Sequence, residues 1–231
     1  MTAGSGPIPS GLRREVLADG VYEAVKGLIM DRHIQPGAKI NMDALARDLE
    51  VSPTPVREAL ARLEADGLVT KRALAGYTAA PLLDAAGLAE LFELRRLLEP
   101  AAARWAAEVI DKPAASALVA MVTEIRNITR SLRGEDYQAY RLLVAHDTEF
   151  HEAIAAATGR QLLVQTMRRL HPHTQIYRLF YRHDVGRETI TEHAAIARCL
   201  QRHDPDGAEE AMTAHLQSAH RRFLAGLPPG P

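Results

Sequence analysis

The 231-residue chain has a single cysteine, Cys199, so no disulfide can form within it, which fits a reducing compartment. Aromatic residues are only 5% of the chain, while alanine and leucine dominate its later two-thirds, a composition that favours helices. No apolar run approaches the ~18–20 residues that a membrane span needs. Met1 to Ser10 lacks the apolar core of a secretory signal. The sequence therefore predicts a cytoplasmic protein with no membrane partner. The formal net charge is only −1, which argues against coating nucleic acid without sequence preference. Charged residues at 25% and hydrophobic residues at 47% are globular values, so wholesale disorder is excluded.

What is present is punctuation early and helical pattern late. Residues 1–11 are small and rich in Pro and Gly, and read as a disordered tail. Residues 12–80 read as short elements. A helix from Leu12 to Asp31 comes first, followed by a Pro36-Gly37 turn. Asn41 then caps a helix over Met42 to Leu49, and Ser52 caps a third that Gly67 stops. Two β-prone pieces follow, Leu68 to Lys71 and Gly76 to Ala80. Residues 81–227 read as an all-α antiparallel bundle with helices over 84–110, 113–133, 135–158, 160–182, 187–203 and 205–225. The predicted fold class is mainly α, a winged helix-turn-helix followed by that bundle.

Two short helices with a tight connector and a hairpin form the kind of unit whose second helix enters a major groove. Pro53 and Pro55 fall at the first and third positions after Ser52, where proline loses little because first-turn N–H groups have no intrahelical partner. Ser52 is then expected to cap the N–H of Thr54. The free helix N-terminus suits phosphate, and Arg57 is placed to fork onto a guanine edge. Spacing alone also fits a structural three-helix unit with surface arginines.

The run Val21–Ala80 resembles the DNA-binding domain of the GntR family of bacterial transcription regulators. The resemblance rests on Pro36-Gly37, Leu45-Ala46, Val51-Ser52, Thr54-Pro55-Val56-Arg57-Glu58-Ala59-Leu60, Leu63, Gly67-Leu68-Val69 and Gly76. It implies binding of a palindromic operator as a homodimer, with Ser52, Thr54 and Arg57 on the DNA and Gly76 in the wing near the minor groove. Pro53 stands where the family usually carries arginine. Residues 1–80 hold ten Lys/Arg against ten Asp/Glu, so positive charge must be local, and Arg47, Arg57, Arg62, Lys71 and Arg72 are the candidates.

The later part places polar residues on stripes that should be apolar. A helix advances about 100° per residue, so Asp147 and His151 fall side by side among Leu143, Val144, Phe150 and Ile154. His193 is surrounded by Ile190, Ile196, Ala197 and Leu200, and His215 by Ala208, Ala211, Met212 and Ala219. His146, His183 and His220 fall off their stripes, and His171, His173 and His203 lie at edges. Burying a carboxylate and three imidazoles is costly unless they pair or bind a cation. The donor set suits Zn²⁺, with Ni²⁺ or a similar borderline metal as the alternative. The same residues are equally met by histidines hydrogen-bonded to Asp147 and to one another.

The segment Leu82–Phe223 resembles the FCD effector-binding domain of the FadR-type subfamily. The matching pieces are Leu94-Arg95, Leu98-Glu99, Asp147, Phe150-His151, Glu192-His193, Ile196 and His215. It implies a divalent metal held by Asp147, His151, His193 and His215 with a small organic acid beside it. Six helices look like the shorter, VanR-like variant. Arg95 lies inward on the stripe of Leu88, Leu91, Leu98, Ala102 and Val109 and suits a carboxylate clamp for the effector, or a salt bridge to Glu99 or Asp147. Trp105 reads as core.

The expected function is a metabolite-responsive DNA-binding regulator, a repressor by resemblance, with operator DNA and a small carboxylic acid as partners. The alternatives are a metal-dependent, hydrolase-like enzyme using the three histidines and the aspartate, and an architectural DNA-binding dimer with a structural metal. No partnered nucleophile, phosphate loop or general base away from the candidate metal stands out in the sequence.

Overall fold

A computed structural model describes residues 10–73, 76–131, 137–170, 176 and 186–226. The chain splits into two compact units between Leu82 and Leu83. The predicted tail overlaps these residues only at Ser10 and Gly11, which are helical; the rest of that expectation lies outside the described residues.

In the first unit, α1 (Ser10–Met30) places Val21, Val25 and Ile29 on one buried stripe. Next come β1 (Lys39–Ile40), α2 (Met42–Asp48), α3 (Pro53–Ala65), β2 (Val69–Arg72) and β3 (Gly76–Ala79). The strands form an antiparallel sheet in the order β1-β3-β2, with Thr70 opposite Thr78 and Ile40 opposite Tyr77. The two-residue β1 adds to the expected elements; a strand that short has no alternation to read. Gly37, at φ 78, turns the chain into it and donates its N–H to the Ala79 carbonyl. Val56, Leu60, Leu63 and Leu68 are wholly buried at the centre of this unit.

Caps explain where α2 and α3 begin and end. Asn41 accepts from the N–H groups of Asp43 and Ala44, as expected. Ser52, contrary to expectation, makes no side-chain cap. Pro53 and Pro55 remove two of the first-turn donors and fix φ themselves, so little is left for a cap to satisfy. Gly67, at φ 70, closes α3: its N–H bonds Glu64 and that of Leu68 bonds Leu63. The same closure ends α2, but there the left-handed residue is Glu50, at φ 54.

In the second unit, α4 (Ala85–Val109), α5 (Lys112–Ser131), α6 (Tyr137–Ala157), α7 (Gln161–Leu170), α8 (Gly186–Gln201) and α9 (Pro205–Gly226) form the bundle. Their starts and ends lie close to the sequence-based limits, except that α7 as described stops at Leu170. Ile176 is helical and buried, while residues 171–175 and 177–185 lie outside the described residues. The expectations for His171, His173 and His183, and the count of six helices against seven, fall there. Leu88, Phe92, Phe150, Ile196, Leu200 and Leu216 are wholly buried in the bundle core. Among the described residues no helix is long and apolar enough to cross a membrane.

Candidate DNA-binding face and metal centre

On α3, Pro55, Val56, Ala59, Leu60 and Leu63 are buried. Ser52, Pro53, Thr54 and Arg57 are exposed, as is Arg47 on α2. The wing adds exposed Lys71, Arg72 and Gly76; Gly76 has φ 83, a backbone conformation that L side chains rarely adopt. Arg62 is placed differently from the rest. Five residues beyond Arg57 it lies roughly 140° round the helix, where it pairs with Asp19 and lies 4.3 Å from the centre of the Tyr22 ring, both on α1. Tyr22 in turn donates to Asp66, and burial followed by that carboxylate pushes its pKa up. Arg62, itself exposed, thus links α3 to α1 on a side of the helix turned away from Arg57.

In the bundle, α6 supplies Asp147 and His151, α8 supplies His193, and α9 supplies His215. All four are buried, and one ligand atom from each lies within 4.8 Å of every other. The three imidazole centroids are 4.8 to 5.2 Å apart. Asp147 Oδ1 lies 3.3 Å from His193 Nε2 and 4.0 Å from His151 Nε2. Burial keeps His193 neutral, with its pKa down to about 3, and its ring stacks on Phe150 at 4.2 Å. Neutral imidazoles and a carboxylate are the forms that ligate a cation. Opposed ligands at about 2.1 Å from an ion stand about 4.2 Å apart, so the set needs to close by roughly half an ångström. The donors fit a divalent borderline metal.

Two acids outside the sequence-based candidates complete the surroundings. His151 Nδ1 lies 2.7 Å from Glu99 Oε2, and His215 Nδ1 lies 2.8 Å from Glu192 Oε2. Glu99 is 2% exposed, although the stripe expected for this helix runs through Val109, which is 62% exposed. For both glutamates burial favours the neutral acid. Around Glu99 the charges of Arg95 and His151 outweigh it, and around Glu192 the hydrogen bonds from Arg222 and His215 do, holding both carboxyls below their ordinary value. Arg95 is buried as expected, and of the roles open to it the structure shows the pairing with Glu99, Nε to Oε1 at 2.6 Å. A glutamate one turn after an arginine (i, i+4) was the available signal for Glu99, whereas Glu192 was marked only as the neighbour of His193 in the family resemblance, without a role.

The outlying histidines stand apart from the cluster. His146 reaches the Met121 carbonyl, His203 the Ala107 carbonyl, and His220 stacks on Phe92. Trp105, expected as core, is partly exposed under the Arg160 guanidinium.

Residues 17–77 match the model of bacterial regulatory proteins, gntR family, and residues 90–218 match the FCD domain. The Nta operon transcriptional regulator of Aminobacter aminovorans is 30% identical, over 83% of this chain and 87% of that one. The HTH-type transcriptional repressor NanR of Enterobacter sp. is 25% identical, over 93% and 88%. A GntR transcriptional regulator from Rhodococcus sp. RHA1 has the same fold, with TM-score 0.68 at 19% identity over 91% of this chain and 99% of that one.

Proposed function

This chain belongs to the gntR family of bacterial regulatory proteins and is a transcriptional regulator with an FCD domain, and from that premise we propose that it is a dimeric repressor whose hold on a palindromic operator is set by a small carboxylic acid sensed at a metal centre. The buried cluster of Asp147, His151, His193 and His215 carries this reading. Those residues would hold the ion, with Zn²⁺ suited first, and the ion would polarise an oxygen of the acid. Four protein ligands leave room for one or two more in a five- or six-coordinate site. Arg95 is already paired with Glu99, so an acid that reached it would compete with Glu99 for the guanidinium. On the DNA side, Ser52, Thr54 and Arg57 would meet the major groove at the α3 N-terminus, and Arg47, Lys71, Arg72 and Gly76 would meet backbone and wing sites. Arg62 supports α3 in this reading and does not touch the bases.

The relatives are transcriptional regulators, and the hydrolytic alternative is set aside on that ground. An acid can shift operator binding only by its different affinity for two states of the protein. The test is a selection of bound genomic fragments followed by footprinting, with and without a panel of small carboxylic acids. One protected palindrome whose occupancy falls with one class of acid supports the reading. Sequence-indifferent binding, or an operator affinity untouched by every acid, contradicts it.

A further inference from the structure

The same three-residue arrangement occurs twice around the cluster. Arg95 donates from Nε to Glu99 Oε1 at 2.6 Å and from Nη2 to Oε2 at 3.2 Å, and that Oε2 also faces His151 Nδ1 at 2.7 Å. Arg222 donates from Nη1 to Glu192 Oε1 at 2.7 Å and from Nη2 to Oε2 at 2.9 Å, and that Oε2 also receives His215 Nδ1 at 2.8 Å. The two sets share no residue and no helix: the first spans α4 and α6, the second α8 and α9. An arginine that grips both oxygens fixes the plane of a carboxylate. In both sets a histidine Nδ1 lies within 2.8 Å of that Oε2, hydrogen-bonded in the case of His215.

An ion pair alone needs no imidazole, so two such pairs ending on two histidines of one cluster call for a reason beyond charge satisfaction. An imidazole that donates Nδ1–H to a carboxylate keeps Nε2 unprotonated, and Nε2 is then the ligating nitrogen. His193 is held in another way, by stacking on Phe150 and by Asp147.

We propose that Glu99 and Glu192 are positioning residues for a divalent cation, each fixing the tautomer and ring direction of one histidine so that His151 and His215 both present Nε2 to the ion. This rests on the reading of Asp147, His151, His193 and His215 as metal ligands. The glutamates do not touch the ion; their arginines hold them, and they hold the ligands. Metal affinity is therefore governed from outside the ligand set, by two acids that ligand-counting passes over.

The experiment uses the full chain, stripped of metal, and titrates Zn²⁺ against a chelator and Co²⁺ by its visible absorption. Glu192→Gln is the main variant, because Glu192 is partly exposed and the metal-free fold should keep its melting temperature. Glu99→Gln alone would leave Arg95 buried without its partner, so Glu99→Gln is paired with Arg95→Met. Glu188→Gln is the control: Glu188 also reaches Arg222, at 3.2 Å, but touches no histidine in that network. We expect Glu192→Gln and the paired variant each to lose about 10–100-fold in Zn²⁺ affinity, to change the Co²⁺ spectrum, and to keep the metal-free melting temperature. Glu188→Gln should match wild type. Wild-type affinity and spectrum in Glu192→Gln and the paired variant would overturn the positioning role while leaving the metal reading intact. An equal loss in Glu188→Gln would also overturn it, by showing a general charge effect. A wild type that binds neither ion would overturn both.

Discussion

Arg57 and Arg62 lie on the same helix in different surroundings. Arg57 is exposed beside Thr54, whereas Arg62 is held by Asp19 and Tyr22. Arg57→Ala is expected to weaken operator binding by about 1–3 kcal/mol for each guanine that the shortened side chain fails to reach, with no change in melting temperature. Arg62→Ala should keep the sequence preference, and footprinting of both variants checks the contrast. At the metal centre, His215→Ala and His193→Ala are expected to lower metal content and melting temperature together, since the ion's binding energy supports the folded bundle. Phe150→Ala should cost about 3–5 kcal/mol of stability and loosen His193, which denaturant titration and metal analysis would show. The inward set of Asp147, His151, His193 and His215 was legible from helical period because each sits among apolar neighbours. Arg95 was legible as inward but not by role, because its partner depends on the burial of Glu99, which the expected stripe does not include. The role of Glu192, named only beside His193 in the resemblance, was out of reach: it meets His215 and Arg222 across two helices, and no spacing within one segment encodes that.

The ends of the short helices are the elements on which the DNA-binding face depends. Gly67 occupies the left-handed position that closes α3 and starts β2. Gly67→Ala is expected to destabilise the first unit by about 1 kcal/mol, with operator preference retained in a binding titration. Glu50 holds the matching position after α2 at φ 54, so Glu50→Gly should stabilise by up to about 1 kcal/mol. Thermal unfolding of the two variants should move in opposite directions; shifts of the same sign would contradict the account of these turns. The sequence pointed to Gly67 through the glycine itself, whereas nothing in a glutamate announces a left-handed turn. The absent cap at Ser52 has a similar origin. The pattern Ser-Pro-Thr-Pro suggests a cap plus a tolerated proline, but the prolines themselves take over the work of starting the helix.

At the level of the whole molecule, two units have separate cores, one with the exposed residues of α3 and the wing, the other with the buried cluster of Asp147, His151, His193 and His215. Binding confined to the bundle should therefore stabilise the bundle. Metal at a hundredfold excess over Kd adds about 2.7 kcal/mol, and at roughly 2–4 °C per kcal/mol this is a shift of about 5–10 °C. Removing the ion with a chelator should lower that transition and leave unfolding of the winged helix where it was, as calorimetry with tryptophan fluorescence can show, since the sole tryptophan, Trp105, lies in the bundle.

The centre itself is tested most directly by the metal content of the purified full chain, stripped, offered Zn²⁺ and Ni²⁺ together, and washed free of excess. The expected result is about one divalent ion per chain in wild type and a clear deficit in His193→Ala and His215→Ala. A wild type that retains no ion, or variants that retain as much as wild type, would contradict the account.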